Sequence, residues 1–122
     1  MKHIVFVDDE PDFHVITKVY FNKEIKSGEF NLVFFSKPLE ALDYLLSHGE
    51  SVQILFTDLK MGKLDGFELI ENIREKFTDL ACYIISALPD KSYKKIADEL
   101  NIISFLEKPI NYKHIREIIS NI

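Results

Sequence analysis

The chain has 122 residues, which is one domain's worth and leaves no room for a second. Its composition, 47% hydrophobic and 29% charged, can build a packed core and excludes a disordered chain. Lys and Arg number 15 against 20 Asp and Glu, a net charge of −5, which argues against direct nucleic-acid binding and suits a cation or a basic partner.

The first apolar run, residues 4–7, leads straight into Asp8-Asp9-Glu10. It is too short for a signal peptide, and no stretch approaches the ~20 apolar residues that cross a bilayer. The expectation is therefore a cytoplasmic domain that does not engage a membrane. Pro11 opens a segment of helical spacing in which Phe13, Ile16 and Tyr20 share a face, with Val15 and Val19 beside it. Run 32–35 follows, then Pro38 and a stripe of Leu39, Leu42, Leu45 and Leu46. Run 54–56 precedes a third stripe of Phe67, Ile70, Ile73 and Phe77. Run 81–85 precedes a fourth, Tyr93, Ile96, Ala97 and Leu100. Run 102–106 precedes a fifth, Ile115, Ile118, Ile119 and Ile122. The apolar runs do not alternate with polar residues, as in strands buried on both faces. Strand alternating with helix five times predicts a doubly wound α/β domain with a parallel sheet, (βα)5, spanning 1–122.

Ligands of open parallel sheets bind beyond the carboxyl ends of the strands. There the runs end in Asp8-Asp9-Glu10, Thr57-Asp58, Ser86 and Glu107-Lys108-Pro109; only the second ends blandly, in Ser36-Lys37-Pro38. Taken singly, Asp58 is a turn or cap residue, Ser86 a cap and Lys108 a solvated lysine. Four chemically competent strand ends on one sheet edge outweigh those readings. Asp8, Asp9 and Asp58 held close are like charges that a cation would join. Carboxylates without His or Cys select a hard ion, Mg²⁺ or Mn²⁺. A carboxylate beside such an ion can accept a phosphoryl group, with Lys108 and Ser86 cradling its oxygens.

These residues resemble the receiver domain of two-component response regulators, the CheY-like, flavodoxin-like fold. Asp8-Asp9-Glu10 is similar to the family's acidic pair after the first strand. The stretch 58–66, with Met61 three residues and Gly66 eight residues after Asp58, is similar to its phosphoacceptor loop. Ser86-Ala87 and Phe105 with Lys108-Pro109 match its hydroxyl and switch motifs. The resemblance covers the whole chain and implies strand order 2-1-3-4-5. It implies that Asp58 takes a phosphoryl group from a phosphohistidine on a sensor histidine kinase or a histidine phosphotransfer protein. Asp9, Asp58 and the backbone carbonyl of Lys60 would bind Mg²⁺ directly, and Asp8 through a water. Lys108 would pair with the phosphoryl group, Ser86 would move to hydrogen-bond it, and Phe105 would turn inward. The output would be a shift on the face of the fourth helix, fifth strand and fifth helix, carrying Tyr93, Lys94 and Arg116. An output protein or domain would read it, with the chain a monomer or a phosphorylation-dependent dimer. On this reading the chain is not an enzyme beyond accepting and slowly losing its own phosphoryl group.

Four departures or details accompany the resemblance. Gly62 stands where the family has Pro, which predicts a freer loop. Asn101-Ile102 replaces Gly-Ala, and Asn tolerates the positive φ that turn needs. Lys60 and Leu88 occupy the positions where family members tune dephosphorylation. The resemblance also implies a cis Lys108-Pro109 peptide. His3, His14, His48 and His114 show no metal-ligand spacing, Cys82 reads as core, Asp65 and Asp12 as turn and first-turn residues, and Lys91, Lys94 and Lys95 as a solvated face. A haloacid dehalogenase-like phosphatase is disfavoured because Asp58-Leu59-Lys60 has no second acid, and an unphosphorylated receiver-like adaptor because no site residue is missing.

Overall fold

Strand-forming Val, Ile and Phe bury here on both sides of the backbone, and Ile4, Val5, Phe6 and Val7 are all inaccessible to solvent. The computed structural model describes residues 1–87 and 90–122. The elements run β1 (Lys2–Val7), α1 (Pro11–Tyr20), α2 (Asn22–Lys26), β2 (Phe30–Phe35), α3 (Pro38–His48), a 3₁₀ turn (Gly49–Ser51), β3 (Ile54–Asp58), α4 (Gly66–Arg74), β4 (Ala81–Ser86), α5 (Tyr93–Glu99), β5 (Ser104–Glu107) and α6 (Tyr112–Ser120). All five strands pair in parallel, in the expected order β2-β1-β3-β4-β5. No helix among the described residues is long and apolar enough to cross a membrane.

Alternate residues of the strands feed two cores. Val5, Val7, Leu55, Cys82 and Ile84 pack under α3, α4 and α5 through Ala41, Leu45, Leu69, Ile70, Ile73 and Ala97. Ile4, Phe6, Ile54, Phe56 and Ile85 pack under α1, α2 and α6, against Phe13, Phe21, Ile25, Ile115 and Ile119. Phe6 stacks between Phe34 and Phe56, with ring centroids 5.3 and 5.0 Å away. Cys82 is fully buried, as expected, and burial pushes its thiol pKa up to about 11.

Several sequence expectations change. Among the described residues six α-helices form rather than five: α2 is five residues long, too short to show a period. The inward face of α1 carries Phe13 and the buried Thr17, and Phe21 just beyond it is fully buried. Val15, Ile16 and Val19 are 60%, 56% and 71% exposed, so the predicted apolar stripe is largely a surface. Thr17 tolerates burial because its hydroxyl bonds to the Phe13 carbonyl at 2.7 Å and to the Tyr112 hydroxyl at 2.8 Å. Leu39 and Leu46 are likewise exposed, with Ala41 and Leu45 taking the core positions of α3. Strand β5 begins at Ser104, not at residue 102, because the Ile102 N–H still bonds to the Ala97 carbonyl of the preceding helix.

Other expectations hold. Asn101 adopts φ 57°, and the Lys108-Pro109 peptide is cis. Asp65 is the N-cap of α4 in a full capping box: its side chain accepts from the Glu68 N–H, while the Glu68 side chain accepts from the Asp65 N–H. Gly62 has φ +71°, a conformation closed to Pro, whose ring fixes φ near −65°. The loop after Asp58 thus follows a path that the family's Pro could not take. Leu88 lies outside the described residues.

Candidate functional site

The parallel register brings the expected residues to one edge. Strand β1 sits between β2 and β3, so the turn after Val7 lies beside the end of β3, where Asp58 is the last residue of the strand itself. The Lys108 N–H donates to the Ser86 carbonyl at 3.0 Å, which anchors the segment after β5 against the end of β4.

Asp8, Asp9 and Asp58 each bring a carboxylate oxygen within 4.8 Å of the other two. Lys108 Nζ donates to Asp58 Oδ2 at 3.2 Å and lies 3.8 Å from Asp8 Oδ2. The other oxygen of Asp58, Oδ1, accepts the Leu59 N–H at 2.8 Å, and Asp8 Oδ1 accepts the Glu10 N–H at 2.8 Å. A cleft of about 370 Å³ opens over this group, lined by Asp9, Asp58, Lys60, Ser86, Tyr93 and Lys108 among others. Six of the expected site residues therefore meet: Asp8, Asp9, Asp58, Lys60, Ser86 and Lys108. Phe105 does not line the cleft; it stacks on Tyr93, which does, and meets Phe67 edge-on.

Two of the three acids are buried, Asp8 at 1% and Asp58 at 6% exposure, whereas Asp9 is exposed. Burial raises the pKa of Asp8 above the usual carboxylate range, opposed by the Glu10 N–H and reinforced by Asp58. Burial also raises Asp58, against the pull of Lys108 and the Leu59 N–H, with Asp9 adding to the rise. For Lys108 burial acts downward, but pairing with Asp58 and Asp8 prevails and leaves its pKa raised. One lysine thus faces two buried acids and a third at the rim. An all-oxygen donor set with excess negative charge fits a hard divalent cation.

A test follows from those signs. A carboxyl whose folded pKa lies above its unfolded value holds its proton more tightly in the native state. Stability is therefore lost as pH rises from the unfolded pKa, roughly 4, through the folded one. Without metal at pH 7, Asp8→Asn is expected to be more stable than wild type by on the order of 1 kcal/mol. The gap closes as pH falls towards 4. Urea denaturation at both pH values checks this, and a less stable Asp8→Asn at pH 7 contradicts it.

Gly66 and His14 contribute in ways the residue pattern does not signal. A Cβ on Gly66 would lie 2.6 Å from the Asp58 carbonyl oxygen, so only glycine lets α4 start this close to the site. His14 Nε2 lies 2.8 Å from the Asp8 carbonyl oxygen. Tyr93 reads in the sequence as a helix-face residue, and nothing there marks it as a cleft wall. Arg116 is not on the Tyr93 and Lys94 face. Its guanidinium bonds to both Glu24 oxygens, at 3.0 and 2.9 Å, and lies over the Tyr20 ring, so it ties α6 to α1 and α2.

Similarity to known proteins agrees with this geometry. The chain is 30% identical over 115 residues to the heme response regulator HssR of Staphylococcus saprophyticus, covering 94% of this chain and 48% of that protein. The chain thus spans about half the length of that regulator. A response regulator receiver protein from Pseudomonas putida superposes with a TM-score of 0.83 at 24% identity, over 99% of this chain and 97% of that one. A chain of the CheX–CheY–BeF3–Mg²⁺ complex from Borrelia burgdorferi superposes with a TM-score of 0.77 at 24% identity, over 98% of this chain and 88% of that one. The family model of the response regulator receiver domain matches residues 4–120, and the chain belongs to that family.

Proposed function

We propose that this chain, residues 1–122 as one receiver domain, is a signalling switch that accepts a phosphoryl group on Asp58. The observation that carries the reading is the convergence of three carboxylates within 4.8 Å beside Lys108, at the mouth of a cleft that Asp58 lines. An oxygen of Asp58 attacks the phosphorus of a phosphohistidine on a sensor histidine kinase or phosphotransfer protein. A P–O bond forms, the P–N bond breaks, and the imidazole leaves with the electron pair and takes a proton. Lys108 already holds Asp58 Oδ2 and stays within reach of the incoming charge. Ser86, on the cleft wall, supplies a hydroxyl to a phosphoryl oxygen.

Asp9, Asp58 and the Lys60 carbonyl would hold Mg²⁺, or Mn²⁺, directly, and Asp8 through a water. The ion, when bound, supplies positive charge against the charge that gathers on the phosphoryl oxygens. The Borrelia complex holds Mg²⁺ and BeF3 together, which supports the same pairing here. The chain turns over no separate substrate; it accepts and slowly loses its own phosphoryl group.

Phosphorylation acts on the face of α5, β5 and α6. Phe105 is half-buried against Tyr93 and Phe67, and its inward turn would break that aromatic stack. An output protein or domain reads the change, in a cytoplasmic setting without direct nucleic-acid or membrane contact, with the chain as a monomer or as a dimer formed on phosphorylation. The exposed Val15, Ile16 and Val19 lie on α1, the helix that starts at the cleft rim beside Glu10, and offer the donor protein an apolar contact.

Acetyl phosphate with Mg²⁺ should label wild type with one acid- and base-labile phosphoryl group and leave Asp58→Asn unlabelled. A phosphate-affinity gel reads the difference, and equal labelling refutes the assignment. Separately, Mg²⁺ at ten times its Kd should stabilise the wild-type fold by about 1.4 kcal/mol, read as a raised melting temperature. No metal response in wild type counts against the site.

A further inference from the structure

We propose that His14 is a positioning residue of this site, one that fixes the turn carrying Asp8 and Asp9 towards Asp58. The proposal rests on the phosphoacceptor reading above. Asp8 follows the last residue of β1 and is tied from three directions. Its N–H donates to the Phe35 carbonyl at 3.0 Å, its Oδ1 accepts from Glu10, and its carbonyl oxygen faces His14 Nε2 at 2.8 Å. A carbonyl can only accept, so Nε2 carries a proton and donates it to Asp8. Nδ1, by contrast, is buried without a hydrogen-bond partner among the described residues. The ring is fixed between Phe13 and Phe34, at centroid distances of 5.7 and 5.1 Å and nearly edge-on to both.

A buried ring nitrogen with no partner is a cost to folding that an aliphatic side chain of similar size would remove, but that side chain would leave the Asp8 carbonyl, in a residue 1% exposed, without the His14 N–H. The two costs are of the same kind and offset each other, so stability does not single out histidine at this position. What histidine adds is one N–H aimed at the backbone of Asp8, the residue next to a proposed metal ligand and itself within 4.8 Å of the other acids. Partners of that kind orient the groups that meet the ion without touching it.

The test compares wild type, His14→Leu and His14→Gln as full chains. His14→Leu trades the unpartnered Nδ1 for an unpartnered Asp8 carbonyl, so its metal-free melting temperature should change little, yet it should bind Mg²⁺ about tenfold more weakly by calorimetry. His14→Gln, which presents an N–H at similar reach, should restore most of that affinity. A purely structural histidine would give the opposite pattern, a lower metal-free melting temperature with Mg²⁺ affinity unchanged. His14→Leu binding Mg²⁺ as wild type does, or His14→Gln losing as much affinity as His14→Leu, overturns the proposal. An independent check needs no variant: ¹⁵N NMR of wild type should show a protonated Nε2, and an unprotonated Nε2 overturns the proposal as well. If wild type binds Mg²⁺ while His14→Leu is indistinguishable from it, only this inference fails. If wild type does not bind Mg²⁺, the phosphoacceptor reading fails first and this one with it.

Discussion

Gly66→Ala is expected to destabilise the domain by about 3 kcal/mol and to slow phosphoryl acceptance at least tenfold. The added Cβ would sit 2.6 Å from the Asp58 carbonyl oxygen and 3.2 Å from the Leu59 Cα. Both neighbours are backbone, so no rotamer change relieves the contact. The Gly66 N–H also donates to the Leu59 carbonyl at 2.8 Å, which pins α4 to the end of β3. Either α4 moves away and the capping box of Asp65 is strained, or Asp58 moves and its oxygens leave Lys108. Gly62 is the internal control. Its φ of +71° makes alanine strained, but nothing lies within 4 Å of a Cβ there. Gly62→Ala should therefore lose only about 1 kcal/mol and keep most of the phosphorylation rate. Denaturation curves and acetyl phosphate kinetics on the two variants separate backbone strain from collision. Equal, mild effects at both positions would show that α4 does not depend on this close approach.

Arg74→Met should cost about 3 kcal/mol, although Arg74 pairs with no carboxylate among the described residues. The guanidinium donates to five backbone carbonyl oxygens. Nε donates to Leu100 at 2.7 Å, Nη1 to Phe77, Thr78 and Leu80 at 3.0, 3.3 and 2.8 Å, and Nη2 to Asn101 at 3.1 Å. These carbonyls come from the connection between α4 and β4 and from the turn before β5, where Asn101 takes its positive φ. Met keeps the helix propensity and the aliphatic stem but gives the carbonyls no donor, and some are shielded from replacement water. Hydrogen bonds to a charged group are worth about 1.5–3 kcal/mol each when they stand alone. Three of the five are 3.0 Å or longer and several share one nitrogen, so the sum is well below five independent bonds. A shift of the urea midpoint with an unchanged slope is the expected signature. A change under about 0.5 kcal/mol would mean that water replaces the guanidinium freely.

The strands and the acids were legible for the same reason. A sheet covered on both faces demands unbroken apolar runs, and whatever polar residue ends such a run is delivered to one edge. Asp8, Asp58, Ser86 and Lys108 follow from that rule. The helices were less legible because hydropathy does not say which way an aliphatic side chain faces. Val15, Ile16 and Val19 look like core residues and are surface, while Thr17 looks like surface and is core because two hydroxyl bonds satisfy it. Arg116 was assigned to the output face by its place in the last helix. Its partner, Glu24, lies on α2, which the pattern did not reveal. Gly66 matched the motif by spacing, but the collision that explains it exists only once α4 is folded against β3. His14 acts through a backbone oxygen, and no residue pattern encodes such a contact.

Phosphoryl transfer to an Asp58 oxygen makes an acyl phosphate, a mixed anhydride of the side-chain carboxylate and phosphate. Borohydride reduces an acyl phosphate to the alcohol and leaves free carboxylates alone. Wild type treated with acetyl phosphate and Mg²⁺, reduced, digested and analysed by mass spectrometry should carry homoserine at position 58 and nowhere else. Homoserine at position 8 or 9 instead, or an unreduced Asp58 in protein that has been labelled, would contradict the account.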